Sequence, residues 1–191
     1  MQDQSLNSIF DSLCLTESDI NEHLPTLYEY ASHCNTIVEL GVRSVVSTFA
    51  FLKSNPKSLL SIDITHPYQY TNNRLDFAYQ LAKQNDINFE FILADSRSRC
   101  FNSADLLFID TYHNYRQVKD ELNTHHKNVN KYIIFHDTQT YGFINEDNAF
   151  PDDPKKGLIP AIIEFVNSNP NWAIRNRYYN NNGLLILNRI Y

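Results

Sequence analysis

Short, mostly apolar runs alternate along this chain with longer stretches in which apolar residues recur every three or four positions. The runs are Thr36–Leu40, Ser58–Ile62, Asn88–Leu93, Leu106–Ile109 and Tyr132–Phe135. Runs of this length are too short for a stable helix and suit strands buried on both faces of a helix-covered sheet. The stretches between them read as helices. One starts near Ser44, runs through Val45, Phe49 and Leu52, and stops before Asn55–Pro56; another spans about Thr71 to Lys83. Tyr115, Val118, Leu122 and His126 mark a third, covering the crossover between the last two runs. Residues 5–33 form a helical lead-in. There Thr16–Glu17–Ser18–Asp19 offers a cap to a helix carrying Ile20, Leu24, Leu27 and Tyr28, with Pro25 at a break or in its first turn.

Beyond Phe135 the rhythm changes. Gly157–Val166 predicts a helix ended by Asn169–Pro170, and Trp172–Tyr179 and Leu184–Ile190 predict two strands joined by Asn180–Asn181–Asn182–Gly183. Asn-Gly between β-rich runs is a strong hairpin signal. The whole predicts an α/β fold: a doubly wound, mostly parallel seven-stranded sheet with a C-terminal antiparallel hairpin. No repeat or Pro/Gly-rich linker divides the 191 residues, so one domain is expected.

Composition narrows the field. A net charge of −6 gives no basic surface for nucleic acid or an anionic membrane. Cys14, Cys34 and Cys100 are scattered and lack metal-ribbon or CxxC spacing, which points to free thiols in a reducing compartment. The stretch MQDQSLNSIFDSL lacks the basic and apolar regions of a secretory leader, so a cytoplasmic protein is expected.

The chemistry gathers where strands end. Crossovers between parallel strands put their carboxyl ends on one edge, where open α/β sheets bind ligands. Glu39 precedes the strand-to-helix turn at Gly41, a glycine that lets backbone approach a ligand; the turn departs from a dinucleotide fingerprint, with Ser44 and Val46 standing where glycines might. Asp63 ends the second strand, placed to accept from ribose hydroxyls, and Asp95–Ser96 ends the third, within reach of an adenine. Asp110 and His113 follow the fourth strand and His136–Asp137 the fifth. Each alone suits a solvated strand end or helix cap. Thr138–Lys156 is a polar loop long enough for a lid, with Tyr141, Phe143, Glu146 and Phe150 as a substrate wall; His66, Tyr68 and Tyr70 sit on a second loop at the same edge.

VELGVRSVVSTFAFL, LLSIDI, FILADS, DLLFIDTYHNYRQVKDEL and IIFHDT together resemble the class I S-adenosylmethionine-dependent methyltransferases. Within them they are most similar to small O-methyltransferases of the cephalosporin-hydroxylase-like and macrolide-sugar groups. The resemblance divides the chain into the lead-in (1–35), a cofactor-binding core (36–137), a loop or lid (138–156) and a helix with closing hairpin (157–191). It implies S-adenosyl-L-methionine as cofactor, with Glu39, Gly41 and Ser44 at its methionine end, Asp63 at the ribose, Asp95 and Ser96 at the adenine, and Asp110 beside it. It also implies a divalent metal, Mg²⁺ or Mn²⁺, at Asp110, His136 and Asp137, the histidine favouring the softer ion. His113 would then take the proton of a small-molecule acceptor hydroxyl, a sugar being one candidate. With no cap domain over the edge, a neighbouring subunit in a homo-oligomer could close the site. Two other classes stay open: a non-catalytic cofactor-binding module of the same fold, and a metal-dependent oxygenase.

Overall fold

The computed structural model describes residues 5–153 and 155–190. Residues 1–4, which bear on the leader reading, and residue 154 of the long loop lie outside the described residues. Seven strands form: β1 (Thr36–Leu40), β2 (Ser58–Asp63), β3 (Asn88–Leu93), β4 (Ala104–Ile109), β5 (Val129–His136), β6 (Trp172–Tyr178) and β7 (Leu184–Arg189). They lie in one sheet in the order β3-β2-β1-β4-β5-β7-β6. β1 to β5 pair in parallel, while β7 pairs antiparallel with both β5 and β6. The expected doubly wound sheet and closing hairpin are both present. Asn181, Asn182 and Gly183 supply that hairpin's left-handed turn, with φ of 42°, 68° and 93°.

Helices α1 (Leu6–Leu15), α2 (Leu24–Ala31), α3 (Ser47–Lys53) and α4 (Arg74–Gln84) share one core with the sheet, and α5 (Tyr115–His125) and α6 (Leu158–Ser168) share the other. β4 shows why its sequence has no polar alternation. Leu106 and Phe108 face the first core, Leu107 and Ile109 the second.

Element edges differ from expectation where local patterns are overruled. The lead-in breaks into α1, a 3₁₀ turn at Asn21–His23, and α2, with Pro25 in the first turn of α2. Ser5, not the Thr16–Asp19 stretch, caps an α-helix there, its Oγ accepting the Ser8 N–H at 3.2 Å. α3 begins at Ser47 rather than near Ser44, because residues 42–46 form a separate turn. α4 starts only at Arg74, after a 3₁₀ turn at Pro67–Gln69 and left-handed Asn73. No described helix is long and apolar enough to cross a membrane.

Candidate active site

The carboxyl ends of β1 to β5 open into one cleft of about 510 Å³, lined by Gly41, Asp63, Asp95, Asp110, His113 and Asp137 among others. Its two ends are built differently.

At the first end the strand-end acids hold protein. Gly41 (φ 86°) lies so close to β4 that a Cβ would stand 1.9 Å from the Asp110 carbonyl oxygen, so this glycine lets two strand ends meet. In the turn after it, Arg43 and Val45 take left-handed φ of 44° and 60°; these, rather than Ser44 and Val46, occupy the positions where glycine would be unstrained. Asp63 fixes that turn, its Oδ2 accepting the N–H groups of Val42 and Arg43 at 2.7 and 2.9 Å while Oδ1 accepts that of Thr65 at 2.8 Å. Arg74 donates to the Ser44 carbonyl at 3.0 Å, and the Ser44 side chain is not among the cleft's lining groups. Glu39 is fully buried beneath the turn and does not reach the cleft. Its carboxyl accepts from Ser47, Thr48 and Ser61 at 2.5, 2.8 and 2.5 Å, yet burial outweighs these bonds and pushes it up to about 7. Asp95 and Ser96 both line the cleft; Asp95 pairs with Arg97 at 2.7 Å, and the Ser96 hydroxyl donates to the buried Glu121.

At the second end, groups of opposite sign converge. His113 Nε2 lies 3.0 Å from Asp137 Oδ2 and 3.4 Å from Asp110 Oδ1. His136 Nδ1 lies 3.2 and 3.3 Å from the same two oxygens. Each imidazole is held from behind: His113 Nδ1 by Glu146 Oε2 at 2.9 Å, His136 Nε2 by the Asn181 carbonyl at 3.2 Å. His113 also stacks on Tyr141, with ring planes 4° apart. Asp137 itself has a left-handed φ of 58°, and its Oδ2 meets the two imidazoles that also touch Asp110.

Burial alone would push the Asp110 and Asp137 carboxyls up, but the two imidazoles beside them prevail and hold both below the usual carboxylate range. Reciprocally, burial would lower His113 and His136, yet bonds and charges of those aspartates raise His113 to about 10 and His136 well above its ordinary value. The same contacts thus favour the protonated form of both rings.

The donor chemistry fits a divalent ion. Asp110, His113 and Asp137 each place a ligand atom within 4.8 Å of the others. An outer nitrogen donating to a carbonyl or carboxylate fixes the tautomer whose inner nitrogen can bind metal, and both histidines have that arrangement. The ligand-spaced trio thus contains His113 where His136 was expected, while His136 Nδ1 touches the same two carboxylates. Of the two rings, only His113 lines the cleft; His136 is 1% exposed and lies behind the carboxylates.

Gln117, Glu121 and His125 escaped the reading of the sequence, as did the contacts of Glu146, expected only on the substrate wall, and of Asn181, expected only in the hairpin turn. Gln117, Glu121 and His125 left a trace, a polar stripe at helical spacing; Glu146 and Asn181 sit on loops whose path no local pattern encodes.

No family model matches the chain, and no curated protein matches its sequence. Solved structures do match its fold. An O-methyltransferase from Bacillus cereus in complex with S-adenosylhomocysteine (SAH) aligns with a TM-score of 0.63 at 12% identity, covering 99% of this chain and 92% of that one. The N-terminal domain of EvdMO1, solved in the presence of SAH and D-fucose, gives 0.54 at 13%, covering 91% and 83%. The 16S rRNA methylase RmtB gives 0.57 at 14%, covering 96% and 69%. The chain has the Rossmann-like fold of the class I methyltransferases.

Proposed function

We propose that this chain is an S-adenosylmethionine-dependent O-methyltransferase for a small hydroxylated acceptor, assisted by a divalent cation. The observation that carries the reading is the junction of the two ends of the cleft. A pocket of nucleoside size, bounded by Asp63 and Asp95, runs into a corner where two carboxylates and two oriented imidazoles meet. The solved neighbours holding SAH on this fold support the cofactor, and the one solved with D-fucose supports a sugar hydroxyl as acceptor. Tyr70, Tyr112 and Phe150 at the cleft mouth suit the apolar face of a sugar, with Glu146 for its hydroxyls. The rRNA methylase shares the fold, but a net charge of −6 disfavours a polyanionic substrate here.

In this reading Asp63 and Asp95 bind the adenosyl moiety, and Gly41 with the Asp63-held turn shapes the wall beside the methionine. Asp110, Asp137 and His136 Nδ1 would hold the cation. Bound cofactor supplies an electrophilic methyl on sulfonium, and bound cation acidifies the acceptor hydroxyl. The chain's own part is to align the oxygen with the methyl, exclude water and accept the proton. His113 is placed for that last step: it lines the cleft, a cation on the two aspartates would offset the charge that now favours its protonated form, and Glu146 on Nδ1 would stabilise the imidazolium formed.

Two histidines facing two carboxylates also resemble a non-haem iron site, which favours an oxygenase as second reading. One assay separates them. The protein is incubated with S-adenosylmethionine, Mn²⁺ or Mg²⁺ and a panel of sugars and phenols, and SAH release is followed by mass spectrometry. Acceptor-dependent SAH release that disappears in Asp137→Ala is the expected result. Oxygen uptake with Fe²⁺ and no SAH release would overturn it.

A further inference from the structure

Helix α5 carries a buried polar stripe where a covering helix would ordinarily bury apolar residues. Gln117, Glu121 and His125, one turn apart in succession, are all buried. All three end on one residue, Ser96. The Ser96 hydroxyl donates to Glu121 Oε1 at 2.5 Å. Gln117 Nε2 donates to Ser96 Oγ at 3.2 Å and to the same Glu121 oxygen at 2.8 Å. His125 Nε2 donates to the Ser96 carbonyl at 2.7 Å. Ser96 is thereby held by side chain and main chain from a single helix. The Glu121 carboxyl also accepts the Thr111 hydroxyl, at 2.8 and 3.0 Å, so the residue after Asp110 hangs from the same group.

A fully buried carboxyl is a costly way to pack a helix, and an apolar side chain of similar volume would stabilise the fold at least as well. What the carboxyl adds is direction, since it ties the loops after β3 and β4 to one helix. We propose that the Gln117–Glu121–His125 stripe positions the floor of the cleft, so that Glu121 sets cofactor affinity from beneath without touching the cofactor. The inference rests on the adenosyl site proposed above, because Asp95 and Ser96 bound its adenine end. Glu121 is a positioning residue, and it acts through Ser96.

The test is calorimetric titration of SAH into the full-length protein and its Ser96→Ala, Glu121→Ala and Glu121→Gln variants, with thermal melts to establish folding. Ser96→Ala and Glu121→Ala are each expected to weaken SAH binding about tenfold, and the double variant no further, because both break one link. Glu121→Gln keeps an acceptor for Ser96 and is expected to stay within about twofold of wild type. A folded Ser96→Ala with wild-type affinity would overturn the inference, as would additive losses in the double variant. If Glu121→Ala does not fold, Ser96→Ala and Glu121→Gln decide alone. Wild-type protein that fails to bind SAH removes the cofactor reading and this inference together; binding that Ser96→Ala leaves untouched removes the inference only.

Discussion

The two ends of the cleft spend their charged groups in opposite ways. Around Asp63 and Asp95 every acid already has a protein partner: loop N–H groups for Asp63, Arg97 for Asp95, hydroxyls for Glu39. These acids shape loops, and a ligand would meet surfaces that are already set. Around Asp110 and Asp137 the partners are two imidazoles whose inner nitrogens crowd the same oxygens. A cation held by Asp110, Asp137 and His136 Nδ1 would replace the inner proton of His136 without moving the frame, because Glu146 and Asn181 hold the rings from outside. Identical residue types thus serve preorganisation at one end and exchangeable charge at the other.

The contrast breaks most visibly at the exchangeable end. Asp137→Ala is expected to weaken Mn²⁺ binding by about 100-fold or more, read by electron paramagnetic resonance of free Mn²⁺, because one of two anionic ligands is gone. His136→Ala should weaken it more than His113→Ala, because in this reading His136 is the imidazole ligand and His113 the proton acceptor. Equal losses would make His113 a ligand and not the proton acceptor.

At the preorganised end the expected losses fall on stability as well as on cofactor binding. Asp63→Ala leaves the Val42 and Arg43 N–H groups without their acceptor, and should cost about 1–3 kcal/mol in urea denaturation. Asp63→Asn, which retains one acceptor oxygen, should cost less.

Glu39 gives a pH signature. Its carboxyl is pushed up to about 7 in the folded protein, against about 4.3 in the unfolded chain. Between these values the folded state binds the extra proton, so stability falls as pH rises. The contribution is complete below about pH 4.3 and is lost as pH passes about 7, a loss on the order of 1–3 kcal/mol. Glu39→Gln should flatten that part of the stability–pH profile, whereas a profile unchanged by the substitution would mean that Glu39 is ionised throughout.

The smallest effect lies in the left-handed turn. Arg43→Gly and Arg43→Ala both lose the exposed ion pair to Asp19, but only glycine relieves a φ of 44°. Arg43→Gly should exceed Arg43→Ala in stability by about 0.5–1 kcal/mol, reversing the order found at ordinary φ.

The same division explains what could be read from the residues alone. Strand ends were legible, because a buried parallel strand is an apolar run and its first polar residue marks the edge; Asp63, Asp95, Asp110 and Asp137 all reach the cleft by that rule. What those side chains do was less so. Glu39 lies at a strand end like the others, but its side chain goes beneath the turn to three hydroxyls, two on α3 and one on β2. The left-handed positions fall at Arg43 and Val45 because Asp63, distant in sequence, sets the register of the turn. Glu146 reaches His113 from a loop, and the Asn180–Gly183 hairpin, readable as a turn, also brings the Asn181 carbonyl to His136. Long-range contacts of this kind leave no period in the chain.

The most direct measurement is calorimetric titration of SAH into the full-length wild-type protein, with Asp63→Ala alongside. Micromolar binding that Asp63→Ala abolishes is the result expected of an adenosyl site framed by the β2 strand end. No binding, with or without Mn²⁺, would contradict a methyltransferase and leave the fold as a scaffold for other chemistry at the histidine–aspartate corner.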